Sequence, residues 1–173
     1  MDRPGVKGSP LRNRCPTCHS GRLARDTRET RVQVAGSTFV ASLPVRRCAS
    51  CGEAFYAVGA VEGLELQVAA LLAEAGVASG EALRFMRKAL GLRADEWADL
   101  IGVRPESVSR WENGRRRIDR GTLAVIHQLV VEHLRGDSSM HDYLADLRAP
   151  RRLPKRVQVK PRAARGEEGR QVS

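Results

Sequence analysis

Four cysteines in two matched pairs are the feature that most constrains how this chain folds. Cys15 and Cys18 form the first pair, Cys48 and Cys51 the second, with 29 residues between, and the chain has no other cysteine. Each Cys-x-x-Cys pair can hold one side of a metal ion, so two pairs complete a closed tetrahedral shell of sulfur. A shell without a vacant position stabilises a fold and does not activate water. The spacing predicts one structural Zn²⁺ per chain.

Other interpretations of these cysteines stay open. Iron in a similar shell generally needs a tight aromatic core, and Phe39 is the only aromatic residue between the pairs. A reactive dithiol is a second alternative, but the sequence shows no thioredoxin-like βαβ pattern around it. His19, beside the first pair, is either a spare ligand or a surface histidine.

The charge of the chain is concentrated at its C-terminal end. The formal net charge is +10, and the segment from Arg148 onwards contains nine Lys or Arg and two acidic residues. This balance favours a polyanionic partner, either nucleic acid or an anionic membrane. The segment 61–75 is too short and too charged to span a bilayer, and no apolar signal segment follows the first Met. We therefore expect a soluble, intracellular protein.

Strand patterns lie between and after the cysteine pairs. Residues 31–34 and 38–41 alternate and flank Ala35-Gly36, which predicts a hairpin, and a third strand is expected over 53–58. So small a unit has few large apolar residues, and its core alone contributes too little folding free energy, so it needs an additional crosslink such as a bound metal ion. Zinc binding to thiolates can supply roughly 10 kcal/mol or more of folding free energy.

Helical periodicity dominates from residue 60 onwards. A connecting helix over 60–75 has an apolar stripe that includes Leu71, and a later helix over 120–134 has a second apolar row at Val125 and Leu129. One buried face does not require this second row, so we expect part of a dimer contact there. His127, on the same helix, is predicted to be a packed histidine. Further helices are predicted from Ser79 to Gly91, over 94–101, from Pro105 to Asn113-Gly114, and over 137–147.

The predicted fold class is an α+β multidomain chain, with a small zinc-bound, β-rich N-terminal domain, an all-α domain and a basic disordered tail. The expected divisions are a disordered N-terminus over 1–14, a four-cysteine zinc-binding domain over 15–58, a connecting helix and linker over 59–78, a helix-turn-helix domain over 79–136, an extra helix over 137–147 and a basic disordered tail over 148–173.

Two short helices in the all-α domain meet at a glycine turn. Trp97 and Ala98 precede Gly102, and the second helix ends in Trp111-Glu112-Asn113-Gly114. Small residues at the crossing allow close packing, and the second helix then presents a polar outer face. This is the pattern of a helix-turn-helix, whose second helix enters the major groove of DNA. A helical bundle that binds no ligand is the alternative.

The helical segment resembles the lambda-repressor-like (Xre-type) helix-turn-helix family, most clearly in its Trp-Glu-Asn-Gly ending. With the cysteine module ahead of it, the chain over about 15–134 resembles the MqsA-type (YgiT-type zinc finger) antitoxins. This resemblance implies an autoregulating, dimeric transcriptional repressor that binds a palindromic operator in double-stranded DNA and whose N-terminal domain can bind a toxin. It also implies a structural ion pair between Arg87 and Glu112, and a bacterial, cytoplasmic, nucleoid-associated protein.

The expected DNA-binding residues lie on and beside the recognition helix, residues 105–112. Arg110 is the best candidate to read a base, by pairing with guanine, and Glu106 can accept from a cytosine amino group. Alternatively, these two residues pair with each other on the helix surface, and the arginines that follow form a solvated loop. The full set is Arg104, Glu106, Ser109, Arg110, Asn113, Arg115, Arg116 and Arg117.

Two positions depart from the family pattern, and two rival functions remain. The family often has Gln where this chain has Ala94 and Asn where it has Glu106, so a different operator is expected. A toxin-neutralising or protein-interaction adaptor, with DNA binding secondary, is the first rival. An enzyme is the second, but no cysteine is spare and the sequence shows no catalytic triad or phosphate-binding glycine loop. We therefore predict no catalytic residues.

Overall fold

The structure, a computed structural model, describes residues 14–149, 152 and 155–158. The N-terminal segment predicted to be disordered, apart from Arg14, lies outside the described residues. So does most of the predicted basic tail.

A three-stranded antiparallel sheet, ordered β1-β2-β3, begins the described fold. Its strands are β1 (Leu23–Val34), β2 (Ser37–Cys48) and β3 (Ala54–Tyr56). Ala35 and Gly36 form the turn between β1 and β2 and have φ angles of 52° and 77°. Two consecutive residues with positive φ are typical of the type I′ turn, whose twist matches that of the strands it joins. The predicted hairpin and third strand are confirmed.

Strands β1 and β2 are each twelve residues long, much longer than predicted. The additional part of β1, residues 23–30, is half charged and mostly exposed, so it lacks the apolar alternation that indicates a strand. Contacts with other strands stabilise it instead. Arg47 donates to Asp26 at 2.5 Å, and the hydroxyls of Thr30 and Tyr56 are 3.0 Å apart.

Six helices follow the sheet, close to the predicted bounds. They are α1 (Ala60–Glu74), α2 (Gly80–Ala89), α3 (Ala94–Leu100), α4 (Pro105–Glu112), α5 (Arg120–Leu134) and α6 (Ser139–Leu147). Local signals set several ends: the Ser79 side chain accepts from the Ala82 amide at the start of α2, and Asp119 accepts from the Thr122 amide at the start of α5. None of the described helices is long and apolar enough to cross a membrane.

The hairpin and the helices share one apolar core. Val34, beside the turn of the hairpin, and Leu43, midway along β2, are buried in the same cluster as Leu64 and Val68 of α1. The cysteines lie at the end of the hairpin opposite its turn, about 36 Å from the turn for strands of twelve residues. The sheet is therefore attached to the helical part through the half of the hairpin nearer the turn, and the cysteines lie outside this shared core.

Two details of the predicted core are wrong. Leu71 was expected on the buried stripe of α1 but is 52% exposed, because Ala69, Leu72 and Ala73 provide the side of α1 that packs against α2 and α5. Leu129 was expected on a spare row of α5 but is only 5% exposed, because α2 and α6 pack against α5 within the chain. It is therefore not available for a dimer contact.

Candidate metal centre and nucleic-acid interface

The four cysteine sulfurs converge at one end of the sheet. Cys15 Sγ lies 3.6 Å from Cys51 Sγ, Cys18 Sγ lies 3.6 Å from Cys48 Sγ, and all four are within 4.8 Å of one another. These distances exclude disulfides, whose sulfurs are about 2.05 Å apart. A tetrahedral site with Zn–S bonds of about 2.3 Å has sulfur–sulfur edges of about 3.8 Å. The cluster thus has the size of a metal shell.

Two tight turns carry these sulfurs. In the first, the His19 amide donates to the Cys15 carbonyl, and in the second the Gly52 amide donates to the Cys48 carbonyl, both at 3.0 Å. His19 and Gly52 occupy equivalent positions and have φ angles of 58° and 75°. Such a conformation strains a histidine but not a glycine. The His19 side chain is exposed and lies outside the cysteine cluster, so the structure places it on the surface.

Gly21 lets the two turns approach each other. A Cβ built on it would lie 2.2 Å from Cys48 Sγ and 2.9 Å from Ser50 Oγ, so any side chain would displace the sulfur. The Ser50 amide donates to Cys48 Sγ at 3.4 Å, and the Ser20 hydroxyl donates to Cys18 Sγ at 3.6 Å. Donors of this kind stabilise thiolate ligands.

Hydrogen bonds separate the pKa values of the thiols. The Ser20 side chain, followed by the backbone amides of Gly21 and Ser20, lowers the pKa of Cys18 to about 5. The Glu53 amide lowers the pKa of Cys51, but desolvation and the other three sulfurs raise it to about 12. Metal ions bind thiolates, so metal binding to this cluster releases protons. Four sulfur donors fit a metal ion such as zinc, which would crosslink the two turns.

Helices α3 and α4 cross at a short turn, residues 101–104. Gly102 has a φ of 70°, and the Val103 amide donates to the Ala98 carbonyl at 2.9 Å. This hydrogen bond is typical of the Schellman motif that ends a helix. Pro105 then occupies the first turn of α4, where its missing N–H costs nothing. The arrangement is compatible with the predicted helix-turn-helix.

One side of α4 is buried and the other faces solvent. Val108 and Trp111 are 0% and 4% exposed and attach α4 to the core. The structure brings the residues predicted to contact DNA together on the exposed side of α4 and on the loops at its two ends. All eight are exposed, namely Arg104, Glu106, Ser109, Arg110, Asn113, Arg115, Arg116 and Arg117.

Three of these side chains differ in the hydrogen bonds and ion pairs that they already form within the chain. Glu106 and Arg110, both in the described part of the chain, form no ion pair with each other, contrary to the alternative of a surface pair. The Asn113 amide group, by contrast, is already used. It donates to the Ser109 carbonyl at 2.8 Å and accepts from Arg84 at 2.9 Å.

Arg87 and Glu112 form a buried, bidentate ion pair between α2 and the end of α4. The Arg87 Nε and Nη2 atoms donate to the two carboxylate oxygens at 2.6 and 3.1 Å, and Nη1 donates to the Leu92 carbonyl at 2.7 Å. The two side chains are 8% and 6% exposed. These contacts fix the orientation of α4 relative to the core.

Two further contacts between α2 and α4 were not identified from the sequence. Arg84, one helical turn before Arg87, also donates to Glu112 at 3.1 Å. Its spacing of three residues from Arg87 was the available signal. Gly80 is the second case, because a Cβ there would lie 2.2 Å from the Trp111 carbonyl oxygen. Nothing local in the sequence indicates such a close approach.

Comparison with known proteins agrees with these features. Residues 13–135 match the model of a family described as the antitoxin component of a bacterial toxin-antitoxin system, MqsA. The matched region includes all four cysteines and the elements from β1 to α5 but not α6. No curated protein matches the chain.

Proposed function

This chain belongs to the MqsA family of bacterial antitoxins, and from that premise we propose that it is a sequence-specific transcriptional repressor. It binds a palindromic operator in double-stranded DNA as a homodimer, with α4 in the major groove. The observation that carries this proposal is the exposed polar face of α4, held at a fixed angle by Val108, Trp111 and the buried Arg87–Glu112 pair.

The exposed residues divide into two classes of contact. Arg110 has no carboxylate partner among the described residues, and in this proposal it pairs with guanine, the commonest specific contact in the major groove. Arg115, Arg116 and Arg117 follow α4 in a loop that folds back onto it, with the Arg115 amide donating to the Arg110 carbonyl at 2.8 Å. This loop supplies phosphate contacts, which add affinity without sequence preference.

Homodimerisation follows from the operator symmetry proposed. Two recognition helices related by a two-fold axis would reach successive major grooves about 34 Å apart. Two measurements test this part of the proposal: the molar mass of the protein alone by light scattering, and the number of chains bound per operator, which should be two. Within the same proposal, the protein is cytoplasmic and nucleoid-associated and has no catalytic activity.

The experiment that tests DNA readout is Arg110→Ala in a gel-shift titration against the operator and a scrambled duplex. Losing one bidentate contact should reduce the preference for the operator by roughly 10- to 100-fold, since such a pair contributes about 1–3 kcal/mol of discrimination. Arg31→Ala is the control, because Arg31 lies on β1 and pairs with Glu29. An unchanged operator preference in Arg110→Ala would contradict the proposed role.

Toxin neutralisation is the second candidate function, because the family implies a cognate toxin as partner. In this alternative the protein is chiefly an interaction adaptor and DNA binding is secondary. The metal end of the hairpin lies outside the shared core and offers a separate surface for that partner. Co-purification with the product of an adjacent gene, together with loss of that protein's toxicity, would favour it over stand-alone repression.

A further inference from the structure

A cavity of about 260 Å³ lies between α5, α6 and the segment that joins α2 to α3. It is outside the metal centre and the α4 surface, and α6, which closes it, lies beyond the family match. The apolar part of its wall is formed by three leucines and the polar part by two carboxylates, two imidazoles and a hydroxyl. The lining residues are Leu90, Leu92, Leu129, Glu132, His133, Asp137, Ser138 and His141.

Glu132 is the unusual member of this wall, because it is a carboxylate that is only 9% exposed. It accepts from Gln128 Nε2 and from the Met140 amide at the start of α6, both at 2.8 Å. No Lys, Arg or His of the described chain forms an ion pair with it. The buried side chains of Arg87 and Glu112, by contrast, form an ion pair with each other. Burial of a carboxylate without a cation is costly, so this site favours a positive charge supplied from outside.

The wall contains one more carboxylate, beside the imidazoles of His133 and His141. Asp137 is the second carboxylate, and hydrogen bonding from the Ser139 amide lowers its pKa, so it stays ionised near neutral pH. Among the residues that the structure describes, neither Lys nor Arg lines the cavity, although the chain carries a net charge of +10. A negative, largely apolar cavity in a basic protein selects a cation with an apolar body.

We propose that this cavity binds a small organic cation of the alkylammonium class, with its ammonium group against Glu132 and its alkyl chain against the three leucines. At about 30 Å³ per water-sized group, the volume admits a ligand of roughly five to nine non-hydrogen atoms. This site is independent of the proposed DNA binding, because its residues do not overlap the exposed face of α4.

Calorimetric titration of the metal-loaded, full-length protein with n-butylammonium and with the neutral analogue n-pentanol tests the proposal. We expect n-butylammonium to bind at least ten times more tightly than n-pentanol and to shift the imidazole NMR signals of His133 and His141. Glu132→Gln should abolish the difference between the two probes, since it removes the charge but keeps an acceptor for the Met140 amide. Glu62→Gln, on the exposed side of α1, should leave the difference unchanged.

The comparison of the two probes needs no variant, so it remains decisive even where Glu132→Gln fails to fold. Equal affinities for n-butylammonium and n-pentanol would overturn the proposal. So would binding of n-butylammonium that leaves both imidazole signals unmoved, or an equal loss of affinity in Glu62→Gln. Displacement of n-butylammonium by substoichiometric Zn²⁺ would also overturn it, by assigning these residues to a metal instead.

Discussion

Arg87→Ala removes one partner of a buried ion pair and shows how much that pair contributes to holding α4. The substitution deletes three hydrogen bonds. The Glu112 carboxylate, which is 6% exposed, and the Leu92 carbonyl then lose the donors that Arg87 supplied. Breaking a buried pair in this way costs about 3–5 kcal/mol. Arg84 still donates to the same carboxylate, so we expect the lower end of this range, about 3 kcal/mol.

Thermal unfolding of the metal-loaded protein, followed by circular dichroism, measures this loss. A chain of this length changes Tm by about 2–4 °C per kcal/mol, so Arg87→Ala should lower Tm by about 6–12 °C. Arg84→Ala is the matched control, because the Arg84 side chain is 44% exposed and its ion pair is worth about 1 kcal/mol or less.

The result that would refute this reasoning is an Arg87→Ala variant no less stable than Arg84→Ala. The double variant Arg87→Met/Glu112→Leu provides a further test. It removes both charges together and should recover most of the lost stability, because apolar residues of similar volume often replace a buried pair at little cost. Its DNA affinity should still fall if the pair sets the angle of α4.

Three other perturbations have defined outcomes. Gly80→Ala should lower the free energy of unfolding by about 2 kcal/mol or more, because the new Cβ clashes with the Trp111 carbonyl. Gly63→Ala in α1 should raise it by about 0.5–1 kcal/mol, because a Cβ there meets nothing within 4 Å. Urea unfolding measures both changes. Metal removal by a chelator at neutral pH should release one Zn²⁺ per chain and abolish the strand signal in circular dichroism; an unchanged spectrum would contradict a structural metal. Burial lowers the pKa of His127 despite its hydrogen bond to the Val77 carbonyl, so the unfolded state binds more protons below about pH 6.5. The wild-type free energy of unfolding should therefore fall more steeply from pH 7.5 to 5.5 than that of His127→Asn; parallel profiles would exclude this residue as the cause.

The sequence predicts those parts of the fold that local signals determine. The bounds of α2 to α5 follow from caps such as Ser79, from Pro105 and from glycines that end helices, and these act within one or two turns. The cysteine spacing likewise predicts a sulfur cluster, because each pair needs only a tight turn to converge. The full length of β1 could not be predicted, because contacts with other strands stabilise its charged half. The hydrogen bond that Arg47 of β2 donates to Asp26 is an example.

Periodicity identifies an apolar row on a helix but not the element that covers it. Leu129 belongs to a row that one neighbour cannot bury, and the sequence alone suggested a second chain as the cover. In the structure α2 and α6 of the same chain provide it. Prediction of the site has the same limit. The ion pair between Glu112 and Arg87 was expected, but the contact between Glu112 and Arg84 was not, because it depends on how α2 and α4 cross.

Burial of the hairpin turn end among the helices has a practical consequence for anyone who divides this chain. A protease cut near Gly59 would separate the cysteine-bearing part from the helices. These two parts contribute to the same hydrophobic core. The N-terminal piece would carry Val34 and Leu43 into water, and the C-terminal piece would uncover the side of α1 that faces them. Both fragments should therefore aggregate or stay associated after cleavage instead of drifting apart as separate folded units.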